Sequence, residues 1–129
     1  MARRAQYVEI LNELRLEIFD TYLEFYAVHL TATKCFFDGD LVQARTLNEL
    51  AFKMAVSIGF HRGQARSFFH QALTYFDMEQ SAEGFNCLQE SLKIAEVHQL
   101  VRTKGKINAE FNRQKNNPYL KTDYMENTV

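Results

Sequence analysis

The chain is predicted to be all-α, a tandem of helical hairpins with about six helices. Three observations predict this. Apolar residues recur at three- and four-residue intervals along most of the 129 residues, and no run alternates strictly as a half-buried strand does. Helix breakers are scarce, with one proline and five glycines, which favours long helices over a strand-and-turn fold. Finally, AFKMA from Ala51 to Ala55 is written again 40 residues later as SLKIA from Ser91 to Ala95.

The elements follow in order. Val8, Leu11, Leu14 and Ile18 set a first helix over Ala5–Phe19. Asp20 and Thr21 interrupt it, and Thr21 with Glu24 reads as a capping box, although one helix running through this point also fits. A second helix covers Tyr22–Phe37 and stops at Asp38-Gly39-Asp40, where Gly39 can close a helix in the left-handed conformation and Asp40 can start the next. The third spans Leu41 to about Ile58 through Leu47, Leu50, Met54 and Ile58. GFHRG, Gly59 to Gly63, reads as a turn between two glycines. The fourth helix, Gln64 to about Met78, presents Phe68, Phe69, Ala72, Tyr75 and Phe76. Ser81 can cap a fifth carrying Phe85, Leu88, Leu92 and Ala95. After a break near Gln99, a weaker sixth runs from Val101 to about Arg113. Residues 1–115 therefore form one repeat domain. Residues 116–129, which hold Pro118 and no periodicity, read as a disordered or linker tail.

The net charge of −1 provides no basic field for nucleic acid, so no direct nucleic-acid partner is expected. The first helix is broken by charge every few residues, which fits neither a signal peptide nor a membrane span, and a cytoplasmic location is the expectation. Cys35 and Cys87 each lie inside a helical pattern and read as buried free thiols.

The 40-residue offset extends beyond the opening pair. Ala32 matches Ala72, Cys35 and Phe36 match Tyr75 and Phe76, and Ala44 matches Gly84. Small residues at fixed places let two helix backbones approach to about 8–9 Å. The unit of helix, short turn and helix is that of a stacked helical repeat. In these positions the sequence resembles the tetratricopeptide repeat family. The second unit supplies Ala72, Tyr75, Gly84, Leu88 and Ser91; the first supplies Ala32, Cys35, Ala44, Asn48 and Ala51, of which Cys35 and Asn48 depart from the family's aromatic or large apolar choices. AVSIGFHRGQARSFFHQAL is similar to the longer, 40-residue variety of these repeats, found among bacterial and phage receptors that sense short peptides. The resemblance covers about Tyr22 to Leu100. It implies a right-handed superhelical array whose first helices line a concave face. It also implies a non-enzymatic module that binds a peptide or protein segment, possessing either a regulatory role or, alternatively, a scaffolding role in a complex. Because Ala5–Phe19 reads as one helix and not as a DNA-reading domain, the expectation is a stand-alone repeat protein or a piece of a longer one.

The resemblance places Tyr26, His29, Leu30, Thr33 and Phe37 of the second helix, and Arg66, Phe69, His70 and Leu73 of the fourth, toward the groove. Lys106, Ala109, Glu110 and Arg113 would follow from the sixth. Aromatics offer buried area, His and Thr offer hydrogen bonds, and Arg62 with Arg66 can take a carboxylate at the groove entrance. The basic run Arg102–Lys106 reads as a surface turn.

No catalytic residue, cofactor or metal is expected. His29, His61, His70 and His98 form no metal-ligand spacing, no serine has a nucleophile context, and the two carboxylates of Asp38-Gly39-Asp40 are explained by capping. Two hairpins leave both ends of a stack open, where three or more repeats are usual. The helix at 5–19 can cover one end, and the apolar content of the last helix is thin. Self-association to a homodimer is therefore expected.

Overall fold

The computed structural model describes the backbone of residues 2–116 and the side chains of residues 4–116. Five helices follow one another: α1 (Ala2–Phe37), α2 (Leu41–Ser57), α3 (His61–Asp77), α4 (Ser81–Val97) and α5 (Val101–Lys115). The tail expected at 116–129 falls, from residue 117 on, outside the described residues.

One turn is used four times. Gly39, Gly59, Glu79 and Gln99 all have positive φ, at 83°, 66°, 60° and 55°. The residue after each donates its N–H to a carbonyl five residues back: Asp40 to Cys35, Phe60 to Ala55, Gln80 to Tyr75 and Leu100 to Ala95, at 2.8–2.9 Å. This is the bond of a Schellman turn, which satisfies carbonyls left free at a helix end. The same four residues are the N-caps of the next helices. Ending one helix and starting the next on a single residue sets a strict 20-residue period.

The period explains three departures from the sequence reading. First, α3 begins at His61, so Gly59 alone of the two glycines serves the turn. Gly63 lies inside the helix, where a Cβ would come within 2.5 Å of Phe60 Cδ2 and 2.9 Å of Phe25 Cζ. Second, the cap before α4 is Gln80, with Ser81 the first helical residue, whereas Asp40 caps α2 as expected by accepting from the Gln43 N–H at 3.3 Å.

Third, the two helices expected at 5–19 and 22–37 are the single helix α1. One period before Gly39 stands Phe19. A bulky side chain there makes the left-handed conformation costly, by about 1–2 kcal/mol. The Thr21 hydroxyl, expected to cap, instead donates to the Glu17 carbonyl at 2.9 Å, a bond a threonine makes inside a helix.

Each helix packs against its neighbours in sequence. In addition, α3 touches α1 and α5, while no Cα of α2 lies within 8 Å of one in α4. Thus α1, α3 and α5 form one layer, with α2 and α4 behind it. The repeat is visible in burial. Leu41–Ser57 and Ser81–Val97 show the same sequence of buried, half-buried and exposed positions at every residue. Ala44, Asn48, Ala51 and Ala55 are buried, as are Gly84, Leu88, Ser91 and Ala95. Ala32 and Ala72, the equivalent points of the first helices, are both fully buried.

The core has two centres. One gathers Phe25, Ala51 and Ala55, flanked by Tyr26, Val28, Met54 and Phe60. The other gathers Ala72, Leu88, Ala95 and Ile107, flanked by Phe69, Phe76 and Phe111 among others. Cys35 and Cys87 are free thiols, half-buried rather than buried.

At about 1.5 Å per residue, α1 is roughly 54 Å long, twice its neighbours. Its residues 4–20 are all exposed, so the segment expected to cover a stack end covers none of the other described helices. Tyr7, Leu11, Leu14 and Ile18 continue, seven residues apart in register, the face that Phe25 and Ala32 bury further on.

Candidate functional site

The second half of α1, α3 and α5 lie side by side, so side chains at equivalent turns converge between them. Between α3 and α5 a cleft of about 520 Å³ opens. Arg62, Arg66, Phe69 and His70 line it from α3. Gln99 and Leu100 come from the turn, and Val101, Arg102, Thr103 and Lys106 from the first turns of α5.

The lining is partly apolar and partly basic. Phe69, Leu100 and Val101 supply the apolar part, and Arg62, Arg66, Arg102 and Lys106 supply four cations with no carboxylate among the lining residues. Among the described residues, the ion pairs are Lys93–Glu90, Lys104–Glu96 and Arg113–Glu110, and none uses those four. Arg62 and Arg66 are one helical turn apart on α3. Arg102 and Lys106 stand 40 residues further on, at the equivalent places of α5. The cleft thus carries one basic pair from α3 and one from α5 together with apolar side chains, a surface that can hold an anionic group by charge and by hydrogen bonds.

One lining residue, His70, meets a second imidazole, His29, that does not line the cleft. His29 is 4% exposed, its ring is stacked on Phe25 with centroids 5.8 Å apart, and its Nδ1 has no hydrogen-bond partner. His70 meets it edge-on, with centroids 4.6 Å apart. Burial first, then the Arg66 charge, lowers the pKa of His29 from 6.5 to about 4. Burial first, then His29, Arg66 and Lys106, lowers that of His70 from 6.5 to about 3. Both rings are therefore neutral at neutral pH, and the positive charge of the cleft is carried by Arg and Lys alone.

The expected groove residues divide into three groups. Arg62, Arg66, Phe69 and His70 line the cleft together. His29 backs His70, and the Thr33 hydroxyl donates to the His29 carbonyl at 3.0 Å, within α1. Tyr26, Leu30, Phe37 and Leu73 lie outside the cleft. Tyr26 is half-buried against Phe25 and Phe60, Leu73 is half-buried, and Leu30 and Phe37 are exposed.

On α5, Lys106 reaches the cleft but Glu110 is buried, accepting from Gln114 Nε2 at 2.7 Å and pairing with Arg113. Sequence reasoning missed Arg102 as a cleft residue by reading Arg102–Lys106 as a surface turn. The signal was the 40-residue offset itself, which pairs Arg62 with Arg102 and Arg66 with Lys106.

His61 does not join His70. It stacks on His98 with centroids 3.6 Å apart and rings nearly parallel. Among the described residues, no group of three or more His, Cys, Asp or Glu side chains could hold a metal ion. Nor is any described helix long and apolar enough to cross a membrane. Comparison with protein-family models, with curated proteins and with solved structures gives no match.

Proposed function

We propose that this chain is a non-enzymatic binding module that holds a peptide, or a segment of another protein, along the layer of α1, α3 and α5, and takes an acidic group of that segment in the cleft between α3 and α5. The observation that carries the reading is the set of four cations, without a carboxylate partner among the described residues, at equivalent places of two neighbouring helices. Uncompensated charge gathered in one cleft costs self-repulsion in the free protein and is relieved by an anion. The identical burial of α2 and α4 supports the further reading that the hairpins stack as tetratricopeptide repeats do. In that architecture the first helices form the inner, ligand-gripping wall. A ligand bridging α3 and α5 favours whichever spacing of the two helices fits it, which is how a regulatory receptor converts binding into a change of shape.

The test is fluorescence anisotropy with labelled short peptides, each as a free carboxylate and as an amide. Binding that prefers the carboxylate form, weakens with salt, and drops roughly tenfold or more in Arg66→Ala and Arg102→Ala supports the reading. Equal affinity for the amide forms, or indifference to both substitutions, rejects it.

The exposed apolar length of α1 favours a second reading, a scaffold subunit of a complex. Under that reading peptides leave the melting temperature unchanged, while a partner protein raises it.

A further inference from the structure

One side of α1 carries a second apolar stripe that no other described helix covers. Leu16, Phe19, Leu23, Leu30 and Phe37 are all half-exposed or more, from 50% at Leu23 to 79% at Phe37. With the half-buried Tyr26 and Thr33 they fall at alternating intervals of three and four residues from 16 to 37. That strict spacing belongs to a coiled-coil seam and is narrower than the face a helix turns to a globular core. The stripe is also distinct from the buried face of α1, which is built on Phe25, His29 and Ala32.

The repeat shows what kind of object fits there. Forty residues after Ala27 and Thr31 come Ser67 and Gln71, both buried on α3. Gln71 Nε2 donates to Glu49 Oε1, which places this side of α3 against α2. The side of α3 that corresponds to Ala27 and Thr31, beside the stripe, is thus covered by a helix, whereas on α1 it is exposed; the stripe's own counterparts on α3 include Arg66 and His70, which line the cleft. The three-four spacing of the stripe fits a helix as occupant, and α1 itself has the charges to be that helix. Asp20 and Lys34 flank the stripe on the same side, each seven residues from Ala27. Two copies of α1 laid antiparallel about Ala27 set Asp20 of one opposite Lys34 of the other, twice over. The five exposed side chains offer roughly 600 Å² per copy, so two copies remove about 1,200 Å², above the ~1,000 Å² a specific interface needs.

We propose that two copies of this chain pair through α1, antiparallel about a two-fold axis near Ala27, with Leu16, Phe19, Leu23, Tyr26, Leu30 and Phe37 as the seam. The pairing uses none of the residues that line the cleft between α3 and α5, although it occupies the α1 part of the layer. It accounts for self-association at a stack end and names the end as that of α1, not that of α5.

Sedimentation of the full chain at high micromolar concentration tests it. The expected result is a dimer. Leu23→Glu with Leu30→Glu, both exposed in the single chain, raises the dissociation constant by about 100-fold or more and leaves the helical circular dichroism unchanged. Lys34→Asp alone and Asp20→Lys alone each weaken self-pairing, yet the two variants mixed form a heterodimer, because each then meets opposite charge at both contacts. A monomeric wild type overturns the proposal, as does a dimer untouched by the double substitution. A dimer lost in the double substitution, but with no preference between the two charge variants, overturns the antiparallel arrangement.

Discussion

The imidazole of His29 on α1 meets that of His70 on α3 edge-on, with ring centroids 4.6 Å apart, and His70 lines the cleft with Arg66 and Lys106. Protonating either ring places a charge in a poorly hydrated site beside cations. The folded-state pKa values, about 4 for His29 and about 3 for His70, lie below the ordinary 6.5. The unfolded chain therefore binds more protons than the folded one between these limits.

Stability should be level with respect to these two groups above pH 6.5 and fall as the pH drops toward about 4 and then 3. The slope is about 1 kcal/mol per pH unit for each histidine. Melting temperature measured against pH reads this directly. His70→Phe should remove part of the slope, and an unchanged slope would mean that His70 is not the titrating group.

Asn48 and Leu88 occupy the same place in successive hairpins, and both are almost wholly buried. The Asn48 Oδ1 has no hydrogen-bond partner. Replacing it by the residue its own repeat uses, Asn48→Leu, exchanges an unsatisfied acceptor for apolar contact. A gain of about 1 kcal/mol is expected in denaturant unfolding, offset in part by the larger side chain.

The glycines of α3 and α5 should respond with opposite sign. Gly63→Ala drives a Cβ against the rings of Phe60 and Phe25 and should cost about 1–3 kcal/mol. Gly105 has open space around it within α5, so Gly105→Ala should stabilise by up to about 1 kcal/mol. Thermal unfolding of the two variants side by side checks both, and similar effects would show that propensity and not space governs the sites.

Ser91 on α4 donates its hydroxyl to the Ala65 carbonyl of α3 at 2.7 Å, with both residues fully buried. Ala51 stands at the matching place in the first hairpin and makes no such bond. Ser91→Ala should therefore keep the packing and lose about 1 kcal/mol, read as a lower denaturant midpoint at unchanged slope. A shift below a few tenths would show that the bond only replaces one to water.

The sequence by itself determined what is local or repeated: the all-helical class, the turn at Gly39, the cap at Asp40 and the small residues along α2 and α4. Spacing and side-chain size are written in the chain at every occurrence. The resemblance it carries also pointed to Arg62, Arg66, Phe69 and His70, although Arg62 read as part of the turn before their helix. Only the tertiary structure decided the rest. Whether α1 turned at Phe19 or ran on was a balance between a costly left-handed residue and a helix lacking cover. That Arg102 and Lys106 complete the cleft depends on α5 lying beside α3. That His29 backs His70 depends on α1 lying on the other side of it. Contacts between residues 40 positions apart arise from packing, and periodicity along one helix does not encode which helix stands next to it.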